Sequence, residues 1–291
     1  MNVEEIYKEY SLKIAPLYMH QRSIKRISDE EIRKSIEYKN TFKDNSFVNQ
    51  IPASVDNFYF YGARDGIAKL LAFKTTSIEE KVKMLILHKN KQYQWLLAEA
   101  YEVYEDFLQN IYAYLGFSNM ELWPLSDFGS ISYNELKNKD FDYFLKQAKD
   151  KKGVPHSILS KIRDILPIYT RLEVDNKLER NIKLMVILIE KLRHFIVHKS
   201  GVVNDKKVFI ETVLEKAGLI NNGKYDKTLF EYISQYFGNE EYENTIALLE
   251  IKVNLDLPIV TEIEPLNILI DTLSASVHAI CEEIIQVLQK K

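Results

Sequence analysis

The most apolar stretch of the chain begins at Ile182 and reads I-K-L-M-V-I-L-I. Its apolar residues would cover nearly every face of an α-helix, which is typical of a helix at the centre of a bundle. Polar residues return at the end of the stretch, at Glu190, Arg193, His194 and His198. Such groups are costly at the end of a buried helix unless they form pairs or take part in chemistry. The pattern predicts a central helix within 181–201 whose C-terminal end is a candidate site.

Amphipathic patterns predict further helices on both sides of this one. A long helical region begins at Ser77, with Glu80 completing a capping box, and turns strongly amphipathic over 94–116. One of the acids on that helix can hold Arg193 from across the bundle, the choices being Glu99, Glu102, Glu105 and Asp106. The same periodicity predicts helices at 2–14, 28–42 (capped by Ser28 and Glu31), 157–172 with a break at Pro167, 227–237 and 265–288.

Other stretches depart from the helical period. Residues 247–259 place apolar side chains at alternate positions, which predicts a strand and a small β-ribbon. We interpret the aromatic-rich stretch 50–66 as an irregular, packed connector, and 202–210 as a short strand or extended exit from the central helix. Asp175 or Asn176 is expected to cap the start of that helix.

The elements together predict an all-α protein. We expect a helical bundle at 77–291, with an insertion at 202–262 before the last helix, preceded by a helical extension at 1–76. The chain shows no internal repeat and no flexible Gly/Ser linker.

Composition narrows the classes of function. The formal net charge of −3 excludes a broadly basic surface that coats nucleic acid, so any contact with RNA must be local. A single cysteine, Cys281, excludes an intramolecular disulfide and a Cys-based zinc cluster. The chain opens with an acidic M-N-V-E-E, without a signal peptide, and no apolar run reaches the ~18 residues of a membrane span. We therefore expect a cytoplasmic protein without a membrane partner.

The spacing of the polar residues predicts which of them share a face of the central helix. Glu190, His194 and His198 are four residues apart and share one face, and the long arm of Arg193 can swing back to it. Gly201 follows where a left-handed cap is needed, which places His198 in the final turn. Arginine offers a planar fork of donors for phosphate oxygens, and imidazole moves a proton near neutral pH, so the set suits work on a phosphodiester.

The sequence Arg193-His194-x-x-x-His198 resembles the R-polar-x-x-x-H motif of the HEPN superfamily, the higher eukaryotes and prokaryotes nucleotide-binding domains. The K-S-G-V-V that follows is similar to the small-residue exit of that motif helix. Members of the family are mostly metal-independent endoribonucleases of toxins, antiviral proteins and RNA-guided effectors, and others are catalytically silent. The resemblance spans the bundle from about residue 81 onward, and its specific part is this one segment.

The resemblance implies a mechanism and a set of partners. The 2′-hydroxyl of the RNA would attack the adjacent phosphate and leave a cyclic phosphate and a 5′-hydroxyl, without a metal or another cofactor. His198 would act as general base or acid, Arg193 would stabilise charge on the phosphate, and His194 would orient it or share proton transfer. Glu190 would brace the site and Lys199 would contribute to RNA binding. A symmetric homodimer would supply paired motifs, and an antitoxin or a regulatory partner in a toxin–antitoxin or antiviral system would restrain them.

Three alternatives remain open at this point. Glu190, His194 and His198 have the spacing of a transition-metal site, although Arg193 would repel a cation. The cluster can instead be a structural network in which Glu190 pairs with Arg193 or His194. The chain can also be a non-catalytic HEPN-like module that dimerises and recognises a nucleotide or a protein.

Overall fold

The computed structural model describes residues 2–42, 51–151, 153, 155–253 and 261–289. The chain forms two compact units, one made of Met1–Met19 with Tyr93–Lys291 and the other of His20–Gln92. Their boundaries lie at residues 19 and 92, whereas the sequence predicted a boundary at residue 76. Most of the chain is helical, in agreement with the predicted fold class. None of the helices in the described ranges is long and apolar enough to cross a membrane.

The first helix, α1, is continuous from Val3 to Thr41. The sequence predicted two helices here with a capping box at Ser28 and Glu31, and that prediction is wrong because both residues lie inside α1. Pro16 also lies within the helix. A proline removes a single backbone hydrogen bond, and no glycine follows it before residue 41 to stop the helix.

The second long helix, α2, runs from Ile78 to Ser118. Its predicted capping box is confirmed, because the Ser77 amide donates to Glu80 Oε2 at 2.8 Å and the Glu80 amide donates to Ser77 Oγ at 3.2 Å. The predicted amphipathic part is confirmed as well. Its apolar face is buried in the core of the larger unit at Leu97, Tyr101, Tyr104, Leu108, Ile111 and Leu115.

Shorter helices connect α2 to the central helix. They are α3 (Tyr133–Leu136), α4 (Phe141–Lys149), α5 (His156–Ile165) and α6 (Pro167–Leu172). The predicted break at Pro167 is confirmed, since this proline opens α6 at a position where a helix needs no amide donor.

The central helix, α7, spans Ile182–Lys199 and is buried along most of its length, as predicted. Its N-terminal cap is Asn181, whose Oδ1 accepts from the Leu184 amide at 2.9 Å. The predicted caps Asp175 and Asn176 are wrong. Asn176 instead holds the preceding loop, because its Nδ2 donates to the carbonyls of Leu172 and Arg180.

The segment after α7 differs from the prediction. Residues 206–217 form helix α8 (Lys206–Ala217), capped by Asp205, and the predicted strand at 202–210 reduces to an isolated bridge between Val202 and Thr245. Helix α9 covers Lys227–Ser234 and the last helix, α10, covers Pro265–Gln289, both as predicted.

The smaller unit carries a two-stranded antiparallel hairpin. Strand β1 spans Ser54–Tyr61 and strand β2 spans Ala68–Thr76, with a bulge between Phe58 and Tyr59. The interpretation of 50–66 as an irregular, packed connector is therefore wrong. Residues 54–61 are extended, and most side chains of 51–66 face solvent.

The predicted β-ribbon is confirmed in the larger unit. Strand β3 (Ile251–Val253) pairs antiparallel with β4 (Thr261–Ile263). Residues 254–259 of the predicted strand lie outside the described residues.

A polar network lies inside the larger unit. The Glu173 carboxylate is 1% exposed and accepts from Arg163 Nε at 2.6 Å and from Arg163 Nη2 at 2.7 Å. The Tyr169 hydroxyl donates to Glu173 at 3.1 Å and also contacts Ser276, which contacts the Tyr104 hydroxyl. Burial of these groups is tolerated because each has partners. The network joins α2, α5, α6 and α10.

Candidate functional site at the end of helix α7

The C-terminal end of α7 is closed by two residues with left-handed backbone. Ser200 has φ 54° and Gly201 has φ 77°, and the Gly201 amide donates to the Phe195 carbonyl at 2.9 Å. His198 and Lys199 therefore lie in the last turn, as predicted. The prediction of a left-handed cap is confirmed, with Ser200 as the cap and Gly201 after it.

Gly201 also packs tightly against α2. A Cβ atom on Gly201 would lie 2.4 Å from Gln94 Oε1. The Gln94 side chain donates to the Ile246 carbonyl at 2.7 Å, and the Ile246 amide donates to the Gly201 carbonyl at 2.9 Å. These contacts fix the end of α7 against α2 and the 246 segment, and so fix the backbone that carries His198.

His194 and His198 form an exposed pair. Their ring centroids are 4.9 Å apart at an interplanar angle of 53°, which confirms the predicted shared face. Partial burial, together with the charges of His198, Lys191 and Arg193, lowers the pKa of His194 below its ordinary value. The neutral imidazole of His194 is therefore favoured at neutral pH, which is the form that accepts a proton.

Arg193 lies against α2. Its Nη2 forms an ion pair with Glu102 Oε1 at 3.2 Å, so the prediction that an acid of α2 holds this arginine is confirmed. The Arg193 side chain is 27% exposed, while its Nε atom is buried without a hydrogen-bond partner. The guanidinium is thus held at the surface by one exposed carboxylate and has donor capacity left over.

Glu105 is the second acid beside Arg193. Burial raises its pKa to about 7, the charges of Glu102 and Glu190 add to this effect, and Arg193 opposes it. The Tyr101 hydroxyl lies in the same electrostatic neighbourhood, is buried without a hydrogen-bond partner, and has a pKa raised by burial. Tyr101 could not be recognised from the sequence as part of this site, because it belongs to the apolar stripe of α2.

Glu190 binds a different partner from those that the sequence predicted. Its Oε1 pairs with Lys191 Nζ at 2.8 Å, rather than with Arg193 or His194. The neighbouring Lys191 ammonium, together with burial, holds the pKa of Lys216 below its usual range. Lys199 is exposed in the last turn. Lys199 therefore adds positive charge at the end of α7, while the charge of Lys191 is paired with that of Glu190.

The metal-site alternative finds no support in this geometry. No group of three or more His, Cys, Asp or Glu side chains in the described part of the chain is placed to hold a metal ion. The face shared by Glu190, His194 and His198 is instead divided between a Glu–Lys pair and a His–His pair.

Comparisons with known proteins identified no relative of this chain. No protein-family model, curated sequence or solved structure matches this chain.

Proposed function

We propose that this chain is a metal-independent endoribonuclease of the HEPN type. The observation that carries the proposal is the exposed His194–His198 pair beside Arg193 at the closed end of a buried helix. Exposed imidazoles can reach a substrate, and a guanidinium with unused donors can contact phosphate oxygens. The proposal combines this geometry with the resemblance of the R-polar-x-x-x-H segment.

Each residue has a role in the proposed reaction. One imidazole, that of His198, accepts the proton of the RNA 2′-hydroxyl or returns a proton to the leaving 5′-oxygen. Arg193 stabilises the charge that develops on the phosphate, and Glu102 holds the guanidinium on α2 until substrate arrives. His194, whose pKa is lowered, orients the phosphate or shares the proton transfer. Glu190 fixes Lys191, and Lys199 adds charge for RNA.

Partners follow from the same proposal. Acid and base act at once on opposite sides of the phosphate, so two copies of the motif facing each other in a symmetric homodimer would supply both. Such a nuclease acts in a toxin–antitoxin or antiviral system, where an antitoxin or a sensing partner restrains it.

The test compares RNA cleavage by purified variants in excess EDTA. We expect His198→Ala to lower the cleavage rate by about 10²–10⁴-fold and Arg193→Ala by at least about 10²-fold. His278→Ala is the matched control, because His278 is an exposed histidine of α10 that pairs with Glu282, and it should leave the rate unchanged. Equal cleavage by wild type and His198→Ala, or none by wild type with any RNA tested, would overturn the proposal.

One observation favours a second candidate, a non-catalytic HEPN-like binding module. Arg193 is already paired with Glu102 and lies near Glu105 and Glu190, whose charges offset its own. In a structural network, Arg193→Ala and His198→Ala would each cost roughly 1–3 kcal/mol of stability. In the nuclease, both substitutions should leave the thermal unfolding temperature nearly unchanged while cleavage is lost.

A further inference from the structure

The hairpin of the smaller unit sorts its side chains onto two different faces. Residues paired across an antiparallel ladder share a face, and alternate residues along a strand do as well. One face, here called the uncharged face, consists of four cross-strand pairs: Val55–Thr75, Asn57–Phe73, Tyr59–Leu70 and Tyr61–Ala68. The opposite face carries Asp56, Lys69 and Lys74.

Every residue of the uncharged face is exposed. Its five large apolar side chains are each more than half exposed, at 53% for Val55, 61% for Tyr59, 76% for Tyr61, 57% for Leu70 and 60% for Phe73. An aromatic side chain offers about 150–250 Å², so this face leaves several hundred Å² of contiguous apolar surface in water. Patches of that size mark interaction surfaces.

The hairpin would gain stability if another surface covered its uncharged face. A two-stranded hairpin alone is marginally stable in water, and gains stability when one face packs on another layer. A standard protein interface buries about 800 Å² on each partner. The uncharged face supplies a large part of that area on its own.

We propose that the uncharged face packs against the same face of a second copy of this chain. In a two-fold interface, the same patch of both copies is in contact. Charged side chains in such a patch would therefore lie against like charges of the other copy. This face has no charge, so self-association costs no such repulsion. An anionic lipid surface fits less well, because Lys69 is paired with Asp65 at 3.0 Å and Asp56 lies opposite Lys74, which leaves no basic field.

The experiment is sedimentation of the full chain from roughly 0.1 to 100 µM, a range that brackets micromolar affinity. Phe73→Lys places a charge in the uncharged face. Phe58→Lys is the matched control, because Phe58 is 49% exposed and lies on the opposite face, paired with Ala72. We expect a wild-type dimer whose Kd rises at least tenfold in Phe73→Lys and changes less than twofold in Phe58→Lys. Circular dichroism and thermal unfolding verify that both variants fold.

Three results would overturn this proposal. They are a monomer at every concentration, a dimer that Phe73→Lys leaves intact, and equal weakening by both variants. If the chain is monomeric, flotation with phosphatidylcholine vesicles tests a lipid partner, since binding by wild type and not by Phe73→Lys would assign the face to lipid. The test does not involve Arg193 or His198. A dimer that Phe73→Lys leaves intact, or equal weakening by both variants, overturns this interface alone, whereas a monomer at every concentration also contradicts the homodimer of the proposed nuclease. Loss of the nuclease activity leaves this interface standing.

Discussion

At the residue scale, Glu105 makes stability depend on pH. Its pKa is about 7 in the folded chain, against 4.5 for an unperturbed glutamate. The folded state therefore binds the proton more tightly than the unfolded state. The resulting stabilisation is fully present below pH 4.5 and is lost as the pH rises through 7.

Glu105→Gln keeps this side chain neutral at every pH. We expect the variant to exceed wild type in free energy of unfolding by roughly 1–3 kcal/mol at pH 8, and by much less at pH 5. Urea unfolding at the two pH values measures the difference. Glu102→Gln is the control, because Glu102 is an exposed partner in a surface pair and its loss should cost about 0–1 kcal/mol. The same difference at both pH values would contradict the assignment of a raised pKa to Glu105.

At the element scale, Gly201 is the residue at which the end of α7 packs against the Gln94 side chain of α2. Gly201→Ala would meet both a left-handed φ and the Gln94 side chain, 2.4 Å from the new Cβ. Gly218→Ala is the matched control, with φ +76° and no atom within 4 Å. We expect the control to cost about 1 kcal/mol in unfolding free energy and Gly201→Ala at least twice as much. Thermal unfolding of the two variants decides this, and equal costs would show that Gln94 moves aside freely.

The ion pair of Arg163 and Glu173 links α5 to the end of α6, and substitutions at these residues measure its contribution to stability. Arg163→Ala leaves the Glu173 carboxylate buried without its bidentate partner, so we expect a loss of about 3–5 kcal/mol. The double variant Arg163→Met, Glu173→Leu removes both charges and should lose less than Arg163→Ala alone. Denaturant unfolding measures both. A double variant that is less stable than Arg163→Ala would mean that the Tyr169 hydroxyl needs Glu173 more than Glu173 needs Arg163.

The sequence predicted some elements well for identifiable reasons. Helix α7 was predicted because its apolar run covers nearly every helical face and a glycine follows its last turn. The capping box of α2 was predicted because its two residues are only three positions apart. The first part of helix α8 was missed because the β-branched residues around 202–210 favour a strand, while a single aspartate, Asp205, caps a helix. The hairpin was missed because Phe58 to Tyr61 are all aromatic and hide the period of two.

The candidate site was predictable only in part. Spacing along one helix placed His194 beside His198 and put His198 in the last turn. The partners of charged side chains depend on packing between helices, so the sequence could offer four acids for Arg193 without choosing Glu102. It also paired Glu190 wrongly, because the contact with the adjacent Lys191 depends on side-chain conformation rather than on helical spacing.

At the scale of the whole molecule, a net charge of −3 confines the proposed contact with RNA to a local site at the end of α7. Lys199 lies there in the last turn, whereas the charges of Arg193 and Lys191 are paired with those of Glu102 and Glu190. A site with so few cations contacts few phosphates, so binding should depend on salt less steeply than in proteins that coat nucleic acid.

We propose that this chain cleaves RNA through the 2′-hydroxyl, with Arg193 and His198 acting without a metal. The most direct measurement incubates the protein in excess EDTA with an RNA that it cuts, and with the same RNA carrying a 2′-deoxy residue at the cut site. We predict cleavage of the all-ribose RNA to a cyclic phosphate and a 5′-hydroxyl, no cleavage at the 2′-deoxy position, and neither product with His198→Ala. Cleavage at the 2′-deoxy position, or cleavage that EDTA abolishes, would contradict the account.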